Sequence, residues 1–91
     1  MARGVQKDIN KAVIRRINSL LNKQDGEWTL HKLSVEAGLP SQTLYDIMDE
    51  KQGTIGVHQI KKLCDAFGIT VTDFFDTAYF RNLPPDWMVS D

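Results

Sequence analysis

Two short apolar stripes separated by Ala37-Gly38-Leu39-Pro40 constrain this 91-residue chain more than any other feature. Leu30, Leu33 and Ala37 fall at spacings of three and four, one face of a helix. Leu44, Ile47 and Met48 mark the face of a second. Thr29 suits the N-cap of the first, its hydroxyl accepting an orphan backbone N–H. Gly38 ends that helix, because a left-handed backbone there meets no side-chain penalty. Pro40 fits the first position of the next helix, where its missing N–H has no partner to lose. The spacing therefore predicts two short helices around a tight turn. Ala37 is small where the helix ends approach, and Leu39 plugs the corner. Leu33, Leu44 and Ile47 set the angle between the helices by packing.

The flanking sequence is helical as well. Ile9, Val13, Ile14, Ile17, Leu20 and Leu21 trace one stripe of a first helix, from about Gln6 to Asn22, which stops before Asp25-Gly26. Trp28 follows, placed to cover one end of the core. Residues 51–56 read as a loop. Val57, Ile60, Leu63, Cys64 and Phe67 then share a face, with Lys61, Lys62 and Asp65 opposite, and Gly68 ends that helix. Thr70 with Asp73 makes a capping pair for a short fifth helix through Phe74 and Phe75. No alternating strand pattern interrupts this series. The expectation is one all-α domain of five short helices.

Composition excludes several classes. A hydrophobic content of 42% with 25% charged residues describes a globular chain rather than a disordered one. No apolar run reaches the ~20 residues of a membrane span, and Met1-Ala2-Arg3-Gly4 leads into no signal-peptide core. The single Cys64 leaves no internal disulfide and fits a reducing compartment, so the expected location is the cytoplasm. Enzymatic chemistry is not expected. Cys64 lies on an apolar face as a small hydrophobe, and His31, His58 and Cys64 have no metal-ligand spacing. The glycines build no phosphate cradle, so neither cofactor nor metal is expected. Net charge is −1, unevenly spread: residues 1–25 carry six basic groups against two acidic, the remainder five against ten. The bland reading of this basic start is a solvated helix face.

The run Thr29-Leu-His-Lys-Leu-Ser-Val-Glu-Ala-Gly-Leu-Pro-Ser-Gln-Thr-Leu-Tyr-Asp-Ile-Met resembles the helix-turn-helix of phage-repressor-like (Xre/Cro type) transcription regulators. The likeness continues through Gln59-Ile-Lys-Lys-Leu-Cys-Asp-Ala-Phe-Gly-Ile-Thr into Asp73-Phe-Phe, over roughly residues 8–76. It implies a five-helix lambda-repressor-like DNA-binding domain over residues 1–76. In this geometry the second helix of the pair enters the major groove with its N-terminal side chains facing base edges. The resemblance places base reading on Ser41, Gln42, Tyr45 and Asp46. Gln42 has the amide that pairs bidentately with adenine, and Tyr45 suits a thymine methyl or a phosphate. Backbone contacts fall to Thr29, His31, Thr43 and Lys51, with Arg15 and Arg16 in support. The plain alternative is that these are exposed helix positions, and that His31 simply faces solvent. Two departures from the family stand out. Asp49-Glu50 precede Lys51 where a small residue or glycine is usual, and Asp46 faces the groove. These acids repel phosphate, although Asp46 could accept from cytosine N4.

Residues 77–91 form an apolar extension that includes Leu83, Pro84, Pro85 and Val89. Either Tyr79 and Phe80 fold back over helices one and five, or Tyr79, Phe80, Trp87 and Met88 form a dimer contact. The leading expectation is a homodimeric, sequence-specific regulator of double-stranded DNA, a repressor that occupies an operator and takes no small-molecule ligand. The alternative is the same fold serving as a protein-interaction module, antitoxin-like or adaptor, which the acidic third helix and apolar tail favour.

Overall fold

The break at residues 37–40 forms the corner that organises the fold. The computed structural model describes residues 3–24, 26, 28–51 and 55–83. Helices α1 (Arg3–Lys23), α2 (Leu30–Ala37), α3 (Ser41–Met48), α4 (Val57–Phe67) and α5 (Val71–Phe75) make the expected all-α arrangement. A single turn, α6 (Ala78–Arg81), follows them. α1 begins earlier than its apolar stripe, and Pro40 stands just before α3 rather than inside it. Its extended backbone (φ −59°, ψ 139°) lets the Pro40 carbonyl accept the Leu44 N–H at 3.3 Å.

One core serves all the helices. Val13, Ile17 and Leu20 of α1 meet Leu33 and Ala37 of α2, Leu44 and Ile47 of α3, and Ile60, Leu63, Cys64 and Phe67 of α4. Leu33, Leu44 and Leu63 are wholly buried, so α2 and α3 are set by packing rather than by their own marginal helicity. Trp28 stacks on Phe67 with ring centroids 5.9 Å apart. Phe80 closes the other end against Phe75 and Phe74, at centroid distances of 4.8 and 6.0 Å. The α1 stripe correctly places Val13, Ile17 and Leu20 inside, but Ile9 is 41% exposed and Val57 79%. Both lie at the edge of the packed layer, where periodicity gives direction but burial is incomplete. With Val13, Ile55, Ile60 and Phe75 they line an apolar groove of about 240 Å³.

The ends of α2, α3 and α4 share one device. Beyond each helix a left-handed residue lets the chain turn back, and two N–H groups bond to carbonyls three and five residues earlier. At α2, Gly38 bonds Val35 at 3.2 Å and Leu39 bonds Ser34 at 3.0 Å. At α4, Gly68 and Ile69 repeat this with Asp65 and Cys64. At α3, Glu50 bonds Ile47 at 3.2 Å and Lys51 bonds Asp46 at 2.9 Å. The left-handed residue is glycine at φ +69° and +73° in the first two cases, but Glu50 at φ +59° in the third. A Cβ at that angle crowds the following carbonyl, at roughly 1–2 kcal/mol. The departure from the expected small residue is therefore a point of backbone strain.

Opposite outcomes follow at the two corners. No atom lies within 4 Å of a Cβ built on Gly38, so Gly38→Ala carries the backbone penalty alone. It is expected to lower stability by about 1 kcal/mol. Glu50→Gly is expected to leave stability unchanged or raise it by up to about 1 kcal/mol, strain relief offsetting the looser unfolded chain. Urea denaturation followed by far-ultraviolet circular dichroism checks both signs.

Candidate nucleic-acid interface

The N-terminal turns of α2 and α3 meet on one side of the corner. At α2, Thr29 Oγ1 accepts the Lys32 N–H at 3.1 Å, the cap expected from its sequence position. The start of a helix carries N–H groups that no intrahelical carbonyl reaches, together with a partial positive charge. His31 and Lys32 project from this turn into solvent. Lys32 Nζ stands 5.1 Å from the Trp28 ring centroid, a cation held over an aromatic face. Sequence reasoning missed Lys32, although its place in the first turn of a capped helix marked it as a cation beside the N–H groups.

A chain of hydroxyls joins the two helix starts. Ser34, almost fully buried at 2% exposure, donates to the His31 carbonyl at 2.6 Å. That uses its only proton, so in the 3.0 Å contact between Ser34 and Ser41 it is Ser41 that donates. Ser41 Oγ then accepts from His31 Nδ1, at a long 3.5 Å, when that nitrogen carries the proton. In this arrangement the Ser41 proton faces the protein, and Ser41 offers only lone pairs outward. Its expected base-reading role narrows to accepting a hydrogen bond. Ser34 itself was overlooked, although residues 30, 33, 34 and 37 make a complete helical stripe.

Gln42 and Tyr45 are exposed on α3, Tyr45 at 41%, while Thr43 and Asp46 are half-buried. Gln42 Nε2 donates to Asp46 Oδ1 at 2.8 Å, so two residues assigned separately to bases are bonded to each other. Lys51 is exposed past the left-handed turn, beside the exposed Asp49 and Glu50. Arg15 is exposed on α1. Arg16 has a different task from the phosphate support expected of it. Its Nε donates to the Phe74 carbonyl and its Nη2 to the Asp73 carbonyl, each at 2.8 Å. Both carbonyls belong to the end of five-residue α5, and the guanidinium fork bonds the two together, sharing the Asp73 carbonyl with the Asp76 N–H at 3.3 Å. Among the four suggested dimer contacts, Phe80 packs on its own chain's Phe74 and Phe75. The Tyr79 side chain, Trp87 and Met88 lie outside the described residues.

Nothing in this arrangement prepares a nucleophile. Cys64 is fully buried, and burial raises its thiol pKa, the Asp65 carboxylate adding to the effect. Among the described residues no three His, Cys, Asp or Glu side chains are grouped to hold a metal ion. No helix among them is long and apolar enough to cross a membrane.

The face is thus a capped helix start carrying the exposed Lys32, and an exposed amide on a short second helix across the corner. A family model described as the Cro/C1-type HTH DNA-binding domain matches residues 16–78, from the middle of α1 to the first residue of α6. No curated protein and no solved structure matches the chain. Covering well over half of the sequence, the family match agrees with the corner, the capped α2 and the order of the five helices. The chain belongs to the Cro/C1-type helix-turn-helix DNA-binding domain family.

Proposed function

We propose that this protein is a sequence-specific regulator of transcription that represses by occupying a site on double-stranded DNA, binds as a homodimer and performs no chemistry. One observation carries the reading: the exposed Gln42 amide stands on the first turn of α3, joined through the Ser34–Ser41 bond to the α2 start. With the α2 turn against a phosphate, the α3 start lies toward base edges. An amide paired bidentately with adenine supplies about 1–3 kcal/mol of discrimination, roughly 5- to 150-fold. The exposed cations on these elements are Lys32 on the α2 turn, Lys51 after α3 and Arg15 on α1, against Asp46, Asp49 and Glu50 on and just after α3. So few phosphate contacts bind weakly at physiological salt, non-specific dissociation constants being about 10⁻⁴–10⁻⁶ M. Pairing two copies over half-sites about one turn apart, ~34–36 Å, overcomes that weakness. Exposed Ile9 and Val57 on the apolar groove supply surface for such a contact.

The acids beside α3 favour the competing reading, a protein-interaction module, and salt separates the two. Binding of labelled duplexes, measured by fluorescence anisotropy from low to physiological salt, is expected to weaken linearly on a log–log scale. Lys51→Ala should weaken all duplexes about equally and reduce that slope by about 1. Gln42→Ala should reduce the preference for the selected sequence by roughly 5- to 150-fold and leave the slope unchanged. Absence of binding to any duplex at low salt, or binding indifferent to salt, contradicts the DNA reading.

A further inference from the structure

Asp46 lies one helical turn after Gln42 on α3, half-buried, with Oδ1 2.8 Å from Gln42 Nε2. This bond has a direction. A carboxylate only accepts, so the nitrogen end of the amide must face it; the flipped amide would set Oε1 against a carboxylate oxygen. One N–H is taken by Asp46, while the second N–H and Oε1 remain. Those two groups are the donor and acceptor that adenine requires at N7 and N6. A free glutamine samples many rotamers and both amide orientations, and loses that freedom on binding. Here one orientation is selected before any base arrives.

We propose that Asp46 is a positioning residue for base reading: it holds the Gln42 amide in the orientation that meets the base and does not contact a base itself. The proposal rests on the reading of Gln42 as the base-contacting side chain. It explains why an acid stands on a surface that phosphate should keep free of one. Repulsion from Asp46 weakens binding to every duplex alike, whereas the fixed amide sharpens the difference between duplexes. These effects fall on different observables, absolute affinity and the ratio of affinities. A purely structural i,i+4 pair would support α3 and leave that ratio unchanged.

The test is a double-mutant cycle on the ratio of affinities for the preferred duplex and the same duplex changed at every base pair where either Gln42→Ala or Asp46→Ala weakens discrimination. The full chain is used, with melting curves confirming that each variant folds. Asp46→Ala is expected to bind an arbitrary duplex at least as tightly as the parent and to lower the ratio about 5-fold or more. In the Gln42→Ala background it should leave the ratio unaltered. An unchanged ratio in the parent background overturns the proposal. An equal loss in both backgrounds also overturns it, because Asp46 would then read a base directly. In the free protein, Asp46→Ala should move the ¹H–¹⁵N signals of the Gln42 side-chain amide while backbone signals outside residues 41–51 stay in place. Stationary amide signals mean that the pair does not form in solution, and the proposal falls. A moving amide signal with no binding to any duplex by the parent places the failure in the DNA reading, which takes the positioning role with it.

Discussion

The corner between α2 and α3 is the constraint on which the rest depends. Gly38 turns left-handed, the Leu39 N–H returns to the Ser34 carbonyl at 3.0 Å, and the Leu39 side chain drops into the core at 8% exposure. Below it Leu33, Leu44 and Ile47 are at most 1% exposed, so the helices cannot rotate without opening a void. Above it the Ser34–Ser41 bond ties the same two helices through their polar sides. Two eight-residue helices have little stability alone. Their shared corner turns them into a rigid pair, and only a rigid pair can hold an amide and a helix start at a fixed separation.

The three similar helix ends show where local preference and surface role conflict. Glycine occupies the left-handed position after α2 and α4, where the next residue, Leu39 or Ile69, turns inward. After α3 the same geometry is held by Glu50, and the next residue is the exposed Lys51. This end of the molecule accepts strain and an unfavourable charge beside the surface assigned to DNA. Broken local rules of this kind concentrate at functional positions. With Asp46 tied to Gln42, the acids of this region divide into one with an internal partner and two, Asp49 and Glu50, exposed at the helix end.

Much of the fold was legible because apolar spacing and turn chemistry act locally. Thr29 and Thr70 both cap through the bonds that their positions suggest, to the N–H groups of Lys32 and Asp73. What escaped depends on distant or polar partners. Arg16 looked like a surface cation because its carbonyl acceptors are 57 and 58 positions away in the sequence. Ser34 is buried and completes a stripe with Leu30, Leu33 and Ala37, but as a polar residue it falls outside the apolar pattern. Ile9 and Val57 keep the right period but sit on the rim of a groove, where they stay exposed. Gln42 and Asp46 had the spacing of a helical pair, and the expectation that each reads a base obscured the bond between them.

The central claim is that the starts of α2 and α3 together form the DNA-contacting face. Chemical-shift mapping of ¹⁵N-labelled protein titrated with a bound duplex tests it most directly. The account predicts that the largest backbone shifts cluster at residues 29–32, 41–46 and 51, with the far side of α1 and the groove around Val57 little affected by a duplex carrying one half-site. Largest shifts centred on Ile9, Val57 and Phe75, with residues 41–46 unmoved, would contradict it.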